Sequence, residues 1–143
     1  MILGIGVDII ENKRFSEWEN YPQEKLSSIF SKNEIDLFSQ NKYKNPEQFF
    51  ASRFAAKEAF FKALSNALIS LDLTKETFSF QFARKHVEIV QPIWEVPKLE
   101  VNWTEFQSKL NITLPKIKID LSFAHEKEYS VAFVILSKEE ISK

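Results

Sequence analysis

The architecture of this chain follows from the stretch NPEQFFASRFAAKEAFFKALSNAL, Asn45 to Leu68. Asn45 can cap a helix, Pro46 suits the first helical position, and Gln48 lies where it can complete a capping box. At about 100° per residue, the large apolar side chains fall on one broad arc and alanines occupy most of the remaining surface. Because no wholly polar face is left for water, the stretch predicts one long helix that is buried on nearly all sides.

The same helix carries charged side chains, Arg53, Lys57, Glu58 and Lys62, which are costly to bury. A buried charge needs an opposite charge, a metal ion or a charged ligand as its partner. Glu58 and Lys62 are four residues apart, in the favourable order for an ion pair, and long basic side chains can reach solvent from an apolar face. The helix alone therefore leaves two interpretations open, structural ion pairing or a binding site.

The chain begins with a predicted strand, MILGIGVDII, in which apolar residues alternate with a second set. That second set holds Gly4, Gly6 and Asp8 where a core strand would hold bulky side chains. Glycine inside a strand often marks a close approach by another backbone or by a ligand. Asp8 is then a partly buried carboxylate beside that space, although it could also simply begin a turn or cap the next segment.

The remaining elements are predicted as helices before the long helix and mostly strands after it. Ser31 and Glu34 form a second capping box. The predicted helices cover 11–20, 23–30, 34–38 and 103–110, and the predicted strands cover 77–82, 85–91, 93–101, 117–123 and 129–136, the last two forming a hairpin around 124–128. Antiparallel strands grouped after helices predict an α+β fold, with an antiparallel sheet packed against the long central helix.

Composition narrows the class of protein. With 143 residues, 44% hydrophobic and 27% charged, we expect a single domain over residues 1–143. Cysteine is absent, which excludes disulfides and thiolate metal sites and fits a reducing compartment. The formal net charge of −1 gives no electrostatic case for nucleic acid as the main partner. The apolar runs are shorter than a membrane span and the N-terminus does not resemble a signal peptide, so we expect a soluble cytoplasmic protein without a membrane partner.

The two histidines differ in context. His86 lies in a polar position of a predicted strand and is expected on the surface. His125 follows the apolar sequence SFA at the tip of the predicted hairpin. An exposed histidine at a loop tip is mostly innocuous, and His125 gains meaning only as part of a larger pattern.

That pattern consists of three blocks, GIGVDI from Gly4, RFAAKEAFFKA from Arg53 and SFAHEKEY from Ser122. In this order and at about this spacing they closely resemble the 4′-phosphopantetheinyl transferases, specifically the short holo-acyl-carrier-protein synthase type. The most specific part is the Lys-Glu-Ala-x-x-x-Lys block with a Gly-x-Asp about fifty residues upstream. Arg14 and the segment from Phe30 to Glu34 match as well. The resemblance implies the transferase fold.

Enzymes of this family move 4′-phosphopantetheine from coenzyme A to a serine of an acyl carrier protein and release adenosine 3′,5′-bisphosphate. The resemblance implies that Asp8 and Glu58 hold a Mg²⁺ ion that also binds the pyrophosphate of coenzyme A. Magnesium prefers oxygen ligands and takes only one or two protein carboxylates, so two acids without a nearby cysteine suit it. The metal would stabilise charge and orient the reactants, and the protein would mainly supply placement.

The resemblance also implies roles for basic residues. Lys62 would neutralise phosphate charge, and Arg53 and His125 would contact the nucleotide and its phosphates. Either Glu58 or a water on the metal would take the serine proton, and these alternatives stay open. Arg14 would contact the acidic carrier protein. Because this family places its active sites between the subunits of a homotrimer, His125 would reach the acids of a neighbouring subunit.

Two departures from the family pattern bear on the coenzyme A cleft. Leu64-Ser65-Asn66-Ala67 stands where the family usually has a Gly-Thr-Gly turn, and Glu95-Val96-Pro97-Lys98 replaces a usual Gly-Lys-Pro. Ser65 would then contact the cofactor, and side chains at 65–67 could narrow the cleft. The region 72–114 is also longer and more divergent than usual. The alternative function is therefore a catalytically impaired relative that binds a carrier protein or another subunit, whereas an unrelated binding domain would need three coincident blocks.

Overall fold

The computed structural model describes residues 1–73, 76–91 and 96–140. Its elements are β1 (Ile2–Glu11), two 3-10 turns (Asn12–Phe15 and Trp18–Asn20), α1 (Gln23–Leu26), α2 (Lys32–Gln40), α3 (Pro46–Ser70), α4 (Phe80–Lys85), β2 (Val87–Val90), β3 (Lys98–Val101), α5 (Trp103–Leu110), β4 (Ile117–His125) and β5 (Tyr129–Lys138). The strands β1, β5 and β4 form an antiparallel sheet in that order, and β2 pairs antiparallel with β3. The sheet packs on the long helix α3, which confirms the predicted α+β class.

The long helix is confirmed, but its predicted N-terminal capping box is wrong. Asn45 makes no side-chain capping bond, and Gln48 Nε2 donates instead to the carbonyl oxygen of Glu126 at 3.0 Å. The second predicted box is confirmed, because Ser31 Oγ accepts from Glu34 N at 3.1 Å while Glu34 Oε1 accepts from Ser31 N at 2.8 Å. The Gln48 side chain therefore contacts the turn after β4 instead of completing a capping box.

The space beside the two glycines of β1 is filled by the backbone of α3. A Cβ atom at Gly4 would overlap the carbonyl oxygen of Ala63, and one at Gly6 would overlap that of Ala59. The glycines thus mark the approach of another backbone, one of the two causes considered from the sequence. This packing brings Asp8, two residues beyond Gly6 on the same face of the strand, against the same helix.

One of the charges on α3 is fully buried in an ion pair. Lys57 Nζ lies 2.7 Å from Glu34 Oε1, and both side chains are 0% exposed. The ammonium also donates to Ile29 O at 2.8 Å, and Glu34 Oε2 accepts from Ile89 N at 2.9 Å. The pair therefore joins α2, the end of the α1 segment and β2 to the central helix.

Several predicted elements differ in the structure. The predicted strand at 77–82 is wrong, since Phe80–Lys85 is a helix that Ser79 caps by accepting from Phe82 N at 3.0 Å. The predicted helix at 11–20 consists of two 3-10 turns, and the strand predicted at 93–101 is confirmed only for Lys98–Val101, because 92–95 lie outside the described residues. The helix Trp103–Leu110 and the final hairpin are confirmed, with β4 extending to His125.

The three-stranded sheet has an apolar outer face. Ile5, Val7 and Ile9 of β1 point away from α3 and are 47%, 51% and 66% exposed. On β5, Phe133 pairs with Val7 and is 41% exposed. Isolated exposed apolar side chains are ordinary, but a contiguous patch marks an interaction surface. Within the described residues, the helices are all too short or too polar to cross a bilayer.

Candidate active site

Asp8 and Glu58, fifty residues apart in sequence, meet where β1 crosses α3. The Asp8 side chain is 10% exposed, and Glu58 is half-buried. Burial raises the pKa of the Asp8 carboxyl, and the positive charges of Lys62 and Arg14 partly offset this rise. Burial also raises the pKa of Glu58, and repulsion from the Asp8 carboxylate raises it further. The two acids therefore interact directly, as the sequence pattern required.

One oxygen of Asp8 has no hydrogen-bond donor. Oδ1 accepts from Lys62 Nζ at 3.2 Å, whereas Oδ2 is buried and finds no hydrogen-bond partner in the described part of the chain. A buried carboxylate oxygen without a partner is costly, and a cation removes that cost. The carboxylates of Asp8 and Glu58 fit Mg²⁺, which takes one or two protein carboxylates and completes its shell with waters and phosphates. No group of three or more His, Cys, Asp or Glu side chains suited to a metal occurs among residues 1–73, 76–91 and 96–140.

Lys62 lies at the open side of the acid pair. Its ammonium donates to the carbonyl oxygen of Val7 at 3.0 Å as well as to Asp8. Asp8, rather than Glu58, is thus its hydrogen-bonded partner, although Lys62 also opposes the rise in the pKa of Glu58. The side chain is 47% exposed. A lysine that is half exposed beside two acids can reach an anionic group bound over them.

Arg14 lies at the edge of the same site. Its guanidinium carbon is 5.6 Å from the centre of the Phe54 ring, and its charge lowers the pKa of both Asp8 and Glu58. The residue is exposed and belongs to the 3-10 turn that follows β1. Arg14 is therefore placed to meet a partner that docks over the acids.

Arg53 lies elsewhere in the fold. It is 3% exposed, its guanidinium lies 3.7 Å from the centre of the Phe49 ring, and Nη2 donates to Gln91 Oε1 at 3.0 Å. Five residues before Glu58, it is rotated about 140° around the helix from that residue. The structure does not bring Arg53 to the acids, and its contact with a nucleotide stays a prediction.

His125 also lies apart from the acid pair of its own chain. It is the last residue of β4, it is exposed, and it pairs with Ser130 of β5, which in turn pairs with Ile10 of β1. Two strand spacings, about 10 Å, therefore separate His125 from Ile10, and Asp8 is farther along the strand. Within one chain, the structure does not combine His125 with Asp8 and Glu58.

Ser65 continues the helix face of Glu58, about 10 Å farther along α3. Its hydroxyl donates to Phe61 O at 2.8 Å. It borders a cavity of about 240 Å³ whose other lining residues are Leu68, Ile69, Glu76, Thr77 and Phe78. Ser65 thus borders an open space on the helix face that carries Glu58, and its contact with a cofactor stays a prediction.

Two buried polar residues make long-range contacts that the sequence does not signal. Glu34 is the partner of Lys57, but the two residues are separated by 23 positions, so no local spacing signals the pair. Asn12 is 1% exposed and binds the turn between β4 and β5. A single asparagine after a strand resembles an ordinary turn residue, so only the three-dimensional contacts reveal it.

Comparisons with known proteins find relatives that match nearly the whole chain. The model of the 4′-phosphopantetheinyl transferase superfamily matches residues 4–134. The holo-[acyl-carrier-protein] synthase of Treponema pallidum is 36% identical over 139 residues, which cover 97% of this chain and 98% of that protein. That of Ehrlichia chaffeensis is 34% identical over 143 residues, covering 97% and 99%. The crystal structure of a holo-(acyl-carrier-protein) synthase from Bacillus anthracis in complex with CoA (3′,5′-ADP) is similar with a TM-score of 0.68 and 28% identity, covering 97% of this chain and 99% of that one.

Proposed function

Because the chain belongs to the 4′-phosphopantetheinyl transferase superfamily, we propose that it transfers 4′-phosphopantetheine from coenzyme A to a serine of an apo acyl carrier protein. Relatives named for this activity match nearly the whole chain, and a similar solved structure contains a coenzyme A product group. The observation that carries the proposal is the meeting of Asp8, Glu58 and Lys62, in which Asp8 Oδ2 is left without a donor.

Asp8 and Glu58 are the residues that would hold Mg²⁺. When bound, the ion supplies positive charge next to the pyrophosphate of coenzyme A. The pair suits this role because Asp8 comes from a strand fixed by its glycines against α3, and Glu58 comes from α3 itself. Both carboxyls are therefore held by rigid elements rather than by loops.

The reaction forms one bond and breaks one bond. The serine oxygen bonds to the β-phosphorus, and the phosphoanhydride bond to adenosine 3′,5′-bisphosphate breaks, leaving the electron pair on that product. Lys62 would donate to the phosphate oxygens whose charge increases. Glu58, one helical turn before Lys62 on α3, would be the chain's own acceptor for the serine proton.

We further propose a homotrimer whose active sites lie between subunits. The exposed apolar face formed by Ile5, Val7, Ile9 and Phe133 supports an interface between copies. The position of His125, two strands from its own acids, supports a contribution to the site of a neighbour. Each subunit would be a single domain, and the enzyme would act in the cytoplasm. The lack of cysteine fits such a reducing compartment.

Arg14 supports docking of the carrier protein at the edge of the same site. Acyl carrier proteins are acidic, and Arg14 is an exposed cation beside the acid pair. Its guanidinium would pair with carboxylates of the carrier while the carrier serine approaches Glu58. The charge of the whole chain is nearly neutral, so this contact has to be local.

The test is transfer itself. The chain is mixed with apo carrier protein, coenzyme A and Mg²⁺, and the carrier is weighed by mass spectrometry. We expect a gain equal to one phosphopantetheine group that chelator or Glu58→Gln abolishes. No gain with several carriers, alongside an active control enzyme, rejects the proposed function. Carrier binding without any gain would instead identify an impaired relative, the alternative that the missing glycines near Ser65 favour.

A further inference from the structure

Asn12, the residue that follows β1, is hydrogen-bonded to the turn between β4 and β5. Asn12 Nδ2 donates to Glu126 O at 2.8 Å and to Lys127 O at 3.2 Å, while the backbone N–H of Asn12 donates to Glu128 O at 2.8 Å. Asn12 Oδ1 accepts from Ser130 Oγ at 2.6 Å. One residue thus binds three successive carbonyl groups of the turn and a side chain that follows it.

This polar cluster is buried and complete. Asn12 is 1% exposed and Ser130 is 0% exposed, yet both donors of the Asn12 amide and its oxygen are used. Gln48 adds a bond of 3.0 Å to Glu126 O from the first turn of α3. An apolar residue in place of Asn12 would leave the carbonyl oxygens of Glu126 and Lys127 without this donor. A satisfied polar network instead fixes a unique arrangement of the groups it joins.

The arrangement that it fixes includes His125. That histidine precedes the turn directly and pairs with Ser130, while Asn12 begins the 3-10 turn that carries Arg14. Only one backbone hydrogen bond within the turn itself, Glu126 N to Tyr129 O at 2.8 Å, is present among its described contacts. Without the Asn12 side chain, the turn would lose its bonds at Glu126 O and Lys127 O and would keep the backbone bond to Glu128 O and the bond from Gln48.

We propose that Asn12 is a positioning residue that holds His125 in place for coenzyme A, with Ser130 fixing the orientation of the Asn12 amide. This proposal rests on the proposed function, in which His125 contacts the nucleotide. Asn12 does not touch the reacting atoms. It acts through the turn, and it couples the position of His125 to the segment that carries Asp8 and Arg14.

A double-mutant cycle separates positioning from general stability. Asn12→Ala is measured in the parent chain and in a His125→Ala background, by kcat/KM and by the Kd for coenzyme A. In the parent we expect a loss of about tenfold, because small displacements of a binding group are costly. In the His125→Ala background we expect a change of less than about twofold, since the group that Asn12 positions is gone. Equal losses in both backgrounds overturn the proposal, because they indicate a role that does not pass through His125.

Hydrogen exchange gives a readout that does not depend on turnover. Amides of 125–130 should exchange faster in Asn12→Ala, whereas Asn41→Ala, which removes a bond of 2.8 Å to Leu37 O on α2, should leave them unchanged. If Asn12→Ala does not fold, Ser130→Ala, which removes a single side-chain bond, is judged by the same two criteria. Unchanged exchange together with an unchanged Kd in a folded variant rejects the proposal. An inactive parent chain with faster exchange would reject the proposed function and leave the turn contact supported.

Discussion

The environment of the Glu58 carboxyl makes its ionised form unfavourable in the metal-free fold. Burial and the neighbouring Asp8 raise its pKa above its ordinary value of 4.5. A carboxyl whose pKa is raised by folding binds protons more tightly in the folded state than in the unfolded state. The free energy of unfolding therefore falls as pH rises from the unfolded-state pKa through the folded-state pKa. At neutral pH without metal, the ionised Glu58 therefore destabilises the chain.

Glu58→Gln keeps the shape and removes the charge. In chelator at about pH 7 we expect the variant to melt at a higher temperature than the parent, with the difference shrinking on acidification toward the ordinary glutamate pKa of 4.5. Added Mg²⁺ should raise the melting temperature of the parent but not of the variant. Transfer activity should fall at least about 100-fold, because the metal pair is broken. Melting curves and the mass assay check this, and a variant that melts lower than the parent at neutral pH would contradict it.

The motif predicted that Asp8, Glu58 and Lys62 act together, but it did not predict the partners of the other basic residues on α3. Lys57 and Lys62 are equally basic in sequence, yet Lys57 is fully buried against Glu34 and Lys62 reaches Asp8. The difference arises because residues five positions apart on a helix face in different directions, and the partners come from distant segments. Arg53 was predicted to contact the nucleotide, and its contact with Gln91, 38 residues away, had no local signal in the sequence.

At the level of elements, tertiary packing determines features that the periodicity of the sequence does not predict. The glycines of β1 indicated a close approach, and the structure identifies α3 as the approaching element. The alternating TFSFQF at 77–82 has the pattern of a strand, but Ser79 caps a helix there, and Phe78, Phe80 and Phe82 all pack on other aromatic rings. Aromatic contacts formed in the folded state thus outweigh local pattern.

The buried pair of α2 and α3 gives a sharp test of how these elements hold together. Glu34→Gln leaves the Lys57 ammonium without its counter-charge in a place with no access to water, so we expect a loss of about 3–5 kcal/mol in the free energy of unfolding. The matched control on the same helix is Asp36→Asn, which removes the partner of Lys32 in an exposed pair at 3.2 Å. That change should cost less than about 1 kcal/mol.

Urea unfolding of the two variants measures the difference. Combining Lys57→Met with Glu34→Gln should recover part of the loss, because the unpaired charge is then removed. Similar small losses for Glu34→Gln and Asp36→Asn would show that the buried pair does not carry this share of stability.

For the molecule as a whole, the proposed site residues lie in two separate places of one chain. Asp8 and Glu58 are together, while His125 lies across β5 and the apolar outer face of the sheet is uncovered. Both features have one explanation if copies of the chain associate through this face, because a neighbour then covers the patch and supplies the histidine. Neither feature could be read from the sequence pattern alone, since both depend on the order β1-β5-β4 of the sheet.

Mixing two inactive variants tests that explanation directly. Glu58→Gln lacks an acid, and His125→Ala lacks the histidine, so each homotrimer should be impaired at every site. In randomly mixed trimers, a site that takes its acids from one subunit and its histidine from the next is intact with a probability of one half times one half, so about a quarter of parental activity should return. Sites contained within single chains would give no rescue, because every chain then carries a defect.

The control uses a variant that should dissociate the trimer without changing the acids or the histidine. Val7→Lys places a charge in the centre of the outer face, where Val7 is 51% exposed beside Phe133, and it should shift the chain to monomers in analytical ultracentrifugation. Gln40→Lys, at an exposed position at the end of α2, should leave the assembly unchanged. Rescue should therefore occur when both mixed variants also carry Gln40→Lys and fail when both carry Val7→Lys. Rescue that persists in monomers would refute sharing of sites between subunits, and so would mixed trimers, verified by mass, that remain inactive.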